Sequence, residues 1–124
     1  MLLPEGNTLD EVAARFAWDV PAFFNIGSAV SDDWAAREPD RVCLEHFNPD
    51  RAPDRLTYEG LARRSNAFAR GLSSLGVTAG DRVALMLPQG FETVIAHVAI
   101  YKLGAIAVPL ALLFGMEALE HRLS

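Results

Sequence analysis

Leu72-Ser73-Ser74-Leu75-Gly76-Val77-Thr78-Ala79-Gly80-Asp81-Arg82-Val83, then Leu87-Pro88-Gln89-Gly90-Phe91-Glu92, then Lys102-Leu103-Gly104-Ala105-Ile106-Ala107-Val108-Pro109-Leu110: these runs within Leu72–Leu123 decide the fold. Glycine and proline turn signals separate a helix, a strand, a second helix and a second strand, the rhythm of a βαβ unit in a parallel sheet. Val83–Leu87 is apolar on both faces, as a central parallel strand requires. Pro88-Gln89-Gly90 turns the chain into a helix over Phe91–Leu103, apolar nearly all round and therefore internal. Gly104 ends it. Ala105–Leu110 is the second strand, with Pro109 near its end, where a missing N–H donor is tolerated. Gly115 opens a last helix whose apolar periodicity is still running at Leu123, so an element of something larger is expected to follow. The class is α/β, with a partial parallel or mixed sheet covered by helices.

Upstream, Thr57 caps a long helix in which Leu61, Ser65, Phe68, Leu72 and Leu75 recur along one face. Glu59 and Arg63 are ordered favourably for an i,i+4 pair on it, and Gly76 supplies a left-handed C-cap. Arg41–Phe47 reads as a strand, Asn48–Arg55 as a surface turn, and a short strand at Leu56 closes a hairpin. Asn25 or Ser28 caps a single helix carrying Ile26, Val30 and Trp34, which Pro39 stops. Thr8-Leu9-Asp10-Glu11 is a capping box, with Leu9, Val12, Ala13 and Phe16 on one face behind it. Trp18, Phe23 and Phe24 are expected to pack beneath that docked helix. Residues 1–23 thus form a helical extension, and 24–124 the body.

Composition narrows the function. A chain of 124 residues, 51% apolar, holds one domain. Its net charge of −5 lacks the electrostatic footprint of a nucleic-acid binder. Arg63, Arg64 and Arg70 share one helix and read as a solvated face. The lone Cys43 excludes an internal disulfide, fits a reducing cytoplasm and reads as a small buried hydrophobe. Met1-Leu2-Leu3-Pro4 lacks the basic region of a secretory signal. Thr93–Gly115 is strongly apolar, yet His97, Lys102, Gly104 and Pro109 cut it below the roughly 20 residues of a membrane span.

No catalytic constellation emerges. Neither Gly-x-x-x-x-Gly-Lys-Ser/Thr nor Gly-x-Gly-x-x-Gly is present, so the common phosphate cradles are missing. Lys102, the only lysine, reads as a helix-end cation reaching for water. His46, His97 and His121 are far apart, and Cys43 and His46 face opposite ways on their strand, so no metal site is expected. Asp32-Asp33 and the Glu38, Asp40 pair read as surface carboxylates. No catalytic, cofactor-binding or metal-binding residue is assigned.

The order of the turn and cap signals nevertheless resembles one family. Phe24-Asn25-Ile26 precedes Asp33-Trp34-Ala35 and Pro39, and Arg55-Leu56-Thr57-Tyr58 leads into Leu61. Gly71-Leu72, Leu75-Gly76-Val77, Gly80-Asp81-Arg82-Val83, Leu87-Pro88, Glu92, Lys102-Leu103-Gly104-Ala105 and Pro109-Leu110 follow. From Phe24 onward the chain resembles the N-terminal part of an adenylate-forming (AMP-binding) acyl-CoA synthetase, nearest its short- and medium-chain, acetyl-CoA synthetase-like branch. The resemblance implies that 24–124 is an incomplete N-terminal subdomain. It further implies a parent enzyme that couples a short- or medium-chain carboxylic acid to CoA through an acyl-adenylate, using ATP and Mg²⁺.

The family's phosphate loop, ribose-binding aspartate and catalytic lysine have no counterpart here, so this piece is expected to be inactive alone and to need the rest of the synthetase to complete its fold. Ala111-Leu112-Leu113 stand where acetyl-CoA synthetases carry Phe-Gly-Gly near the CoA channel, so no CoA contact transfers. The alternative is a standalone, non-catalytic α/β domain that binds a partner synthetase.

Overall fold

Helix α5, Phe91–Lys102, organises the fold because each of its faces has a different partner. The computed structural model describes residues 4–124, so the opening Met1-Leu2-Leu3 lies outside the described residues. Around α5 stand α1 (Leu9–Arg15), α2 (Ile26–Ala29), α3 (Asp32–Arg37), β1 (Val42–Asn48), β2 (Arg51–Thr57), α4 (Tyr58–Ser74), β3 (Arg82–Leu85), β4 (Ile106–Pro109) and α6 (Met116–Leu123). Ile95 and Val98, three apart, meet Leu56 and Leu61, with Cys43 and Leu44 against them. Ala96 and Ile100, four apart, meet Leu85 and Ala105, with Leu72, Val77 and Val83 alongside. These i,i+3 and i,i+4 steps put two apolar stripes on one cylinder, which is why no single apolar face shows in its sequence. Ile100 is fully buried.

The βαβ unit is present: β3 and β4 pair in parallel, from Arg82 opposite Ile106 to Leu85 opposite Pro109. Both strands are shorter than expected, and only Leu85 of β3 is buried. Ahead of β3, Asp81 accepts bonds from the Thr78 backbone N–H (2.7 Å) and hydroxyl (2.9 Å), which hold its carboxyl below the ordinary value. The long helix α4 is capped by the Thr57 side chain accepting from the Gly60 N–H. It ends in a Schellman-type turn: Val77 N–H reaches Leu72 O, Gly76 N–H reaches Ser73 O, and Gly76 sits at φ +94°, where a Cβ is strained. Its buried stripe is Leu61, Ala62, Ser65 and Ala69 rather than the stripe through Phe68 and Leu75, both exposed.

Three expectations upstream are corrected. The segment read as a surface turn is mostly strand: β2 runs antiparallel to β1 as a separate two-stranded sheet. Pro53 is accommodated because the register breaks between His46 and Asn48, so no ladder N–H is demanded of it. The single helix through Ile26, Val30 and Trp34 is two, broken at Ser31, whose hydroxyl bonds back to Gly27 O at 2.6 Å. Such back-bonding to the i−4 carbonyl bends helices. Third, α1 forms with Thr8 Oγ1 accepting from Glu11 N–H, while Glu11 reaches back to Asn7 N–H, one residue ahead of the N-cap; yet it buries none of its residues. Trp18, Phe23 and Phe24 are exposed, Phe23 at 96%; Trp18 meets only the edge of Phe16 among the aromatic rings described. No helix among the described residues is long and apolar enough to cross a membrane.

Candidate functional site

Lys102 is the polar centre of the molecule, not a cation reaching for water. Its side chain is 7% exposed, and its ammonium donates to Asp32 Oδ1 (3.0 Å), Ser65 Oγ (2.9 Å) and Asn66 Oδ1 (2.9 Å). Asp32 Oδ2 lies 2.9 Å away. Ser65 passes its own proton to Leu61 O at 2.7 Å, and Asn66 donates to Asp32 Oδ1 at 3.0 Å. An ammonium has three protons, and here each is engaged. No buried side-chain nitrogen or oxygen among the described residues lacks a partner. The cluster therefore ties three helices together. It offers neither a free amine for nucleophilic attack nor a spare donor for a phosphate.

Sequence reasoning placed Asp32 on the surface and missed this cluster because the partners lie up to 70 residues apart. The available signal was paired: a serine at a core position of α4, and a lysine in an otherwise apolar helix. Two polar residues at buried positions must find each other or another partner.

An open groove of about 560 Å³ lies between α4, α5 and the residues after β3. Its floor is apolar, Ala67, Phe68, Leu87, Ile95 and Ala96, and Arg64 and Glu92 form its rim. Those two are paired at 3.0 Å, so the ion pair on α4 bridges to α5; no Glu59–Arg63 pair occurs among the described residues. The Glu92 carboxyl is held below its ordinary value first by its own backbone N–H at the open start of α5, then by the Arg64 hydrogen bond. An ionised, paired carboxylate on an exposed rim is a poor general base. Arg63 and Arg70 are solvated, as expected of that face.

The remaining candidates do not converge. Cys43 donates to Leu56 O at 3.2 Å, and burial pushes its thiol above the ordinary value, which keeps it protonated and unreactive. His46 stands edge-on to Phe91, the His97 Nδ1 is 2.8 Å from Thr93 O, and His121 is exposed on α6. Among the described residues no three His, Cys, Asp or Glu side chains could hold a metal ion together. Glu38 pairs with Arg41, and Asp33 and Asp40 are exposed. Leu112 and Leu113 are exposed beyond β4. Among the described residues, the one lysine is saturated and the carboxylates form no group that could hold a metal ion.

Comparison with known proteins places the chain all the same. The profile of the AMP-binding enzyme family matches residues 31–124. Acetyl-coenzyme A synthetase of Chromobacterium violaceum is 35% identical over 104 residues, which cover 83% of this chain and 16% of that protein. The 4-hydroxyphenylalkanoate adenylyltransferase of Mycobacterium marinum is 43% identical over 103 residues, again 83% of this chain and 16% of the relative. The acyl-CoA synthetase of Brucella canis superposes with a TM-score of 0.79 at 29% identity, covering 92% of this chain and 22% of that structure. The chain thus spans about a sixth of the curated relatives it matches, and its mixed α/β fold is that of the N-terminal domain of adenylate-forming enzymes. By sequence and by fold, the chain belongs to the AMP-binding enzyme family.

Proposed function

We propose that this polypeptide forms part of the N-terminal domain of an ATP-dependent carboxylic acid–CoA ligase and does not catalyse the reaction alone. The observation that carries the reading is the family match over residues 31–124. Acyl-adenylate formation from ATP and a carboxylic acid is the proposed first step, and transfer of the acyl group to CoA the second. The acetyl-coenzyme A synthetase relative supports a short- or medium-chain acid and the CoA step. The adenylyltransferase relative supports the first step. Mg²⁺ with ATP, CoA, and a cytoplasmic setting in which Cys43 stays a thiol belong to the same proposal.

The role of this part is architectural: α5 fixes two strand pairs and two further helices about one axis. The proposal assigns phosphate binding to other parts of the ligase, in keeping with the commitment of Lys102 to Asp32, Ser65 and Asn66. Two measurements test this. ATP–pyrophosphate exchange by the 124-residue chain with acetate or octanoate is expected to be nil, and measurable exchange overturns the non-catalytic half. The reading frame after Ser124 is expected to run into a Ser/Thr/Gly-rich stretch ending in lysine. A stop codon there overturns the ligase assignment in favour of a standalone, partner-binding domain.

A further inference from the structure

We infer that α2 and the start of α3 form a strap latched onto α5 by Lys102, able to open as a unit while the apolar core stays closed. The strap's buried residues are Gly27 and Ser31, neither of which brings apolar side-chain area, while Ile26 and Val30 remain exposed. What seats it is polar and steric. Asn25 Nδ2 donates to the Lys102 carbonyl at 3.0 Å, capping the end of α5, while the Asn25 carbonyl oxygen of the same side chain caps α2. Asp32 takes the Lys102 ammonium. Between these two bonds the backbones nearly touch: a Cβ on Gly27 would lie 2.6 Å from Lys102 N and 2.7 Å from Val98 O.

The far end of the strap is fixed differently. Trp34 stacks on Tyr58 at 5.3 Å with the Arg41 guanidinium on its ring at 5.1 Å, and Tyr58 N–H and Glu59 N–H hold Arg41 O and Pro39 O. The strap is therefore hinged near Trp34 and latched at Lys102. The strap itself brings little buried apolar side-chain area, so its hydrophobic hold is weak and the latch decides its position. Removing Lys102 takes away all three of the ammonium's bonds at once, to Asp32, Ser65 and Asn66, so a single substitution releases the latch. This device is independent of any catalytic role of the parent protein.

Native-state hydrogen exchange on the full 124-residue chain tests it, with two variants that attack the latch by unrelated means. Lys102→Met removes the cation, and Gly27→Ala leaves the charges in place and wedges the backbones apart. Both are expected to speed exchange of the Ala29, Val30 and Ser31 amides by about tenfold or more. The Ile95–Ile100 amides should hardly change. Exchange of the strap amides in the parent protein should depend weakly on denaturant, as the local opening of a short segment must. If either variant leaves Ala29–Ser31 as protected as before, or loosens Ile95–Ile100 to the same degree, the strap is not a separate unit and the proposal fails.

Discussion

Helices α1 and α5 differ in burial in the opposite sense to their end signals. The first has a side-chain N-cap from Thr8, acidic residues in its first turn and an arginine in its last, and none of its residues is buried. The second starts at Gly90 with no side-chain cap, and buries five of its residues. Caps and end charges decide where a helix begins and stops, at about 1 kcal/mol each. Burial depends on whether another element presents a matching face, and here the hairpin, the parallel pair and α4 all face α5.

The contrast is broken most directly inside α5. Ile100→Ala should cost about 3 kcal/mol, because a fully buried side chain leaves a cavity beside Leu85 and Ala105; urea unfolding followed by circular dichroism measures it. Next in size, Thr57→Ala should cost about 1 kcal/mol in the same assay, since that cap serves a helix that packs. Asp81→Asn should act at neutral pH and lose its effect in acid. A carboxyl whose pKa is lowered on folding contributes stability above its unfolded pKa, and loses it as pH falls through the folded one. The variant should be the less stable of the two at neutral pH, show a flatter acid limb in a stability–pH curve, and converge with the unsubstituted chain once Asp81 is protonated in both states. Smallest of all, Thr8→Ala removes an equally well-formed cap, but should leave the global midpoint unchanged within about 0.5 kcal/mol, because α1 has no buried residue. A global shift as large as that of Thr57→Ala would show that α1 docks after all.

The same contrast explains what could be read from sequence. The βαβ unit was legible because its signals are local: Gly76, Gly80, Gly90 and Gly104 punctuate it, and apolar runs fill the intervals. The α4 cap at Thr57 and the end at Gly76 were legible for the same reason. The hairpin was under-read because Pro49, Pro53 and two aspartates look like a loop, and only the pairing with β1 makes β2 a strand. Trp18, Phe23 and Phe24 look like core by residue type, but type does not supply a partner. The Lys102 cluster was missed because Asp32, Ser65 and Asn66 come from two other helices, and no periodicity links positions so distant. The absence of a phosphate loop was a purely local observation, and the geometry adds that the lone lysine is already committed.

The bond from Asn25 to the Lys102 carbonyl joins residues 77 apart, and that separation imposes an order of events on a growing chain. At about 5–20 residues per second, the strap waits roughly 4–15 s on the ribosome before its acceptor has been synthesised. The α4–α5 contact and the βαβ unit need much shorter loops and can close first. The N-terminal helices, first to emerge, are therefore expected to be among the last to settle. Substitutions in their seat should hasten unfolding and leave the folding rate almost unaltered.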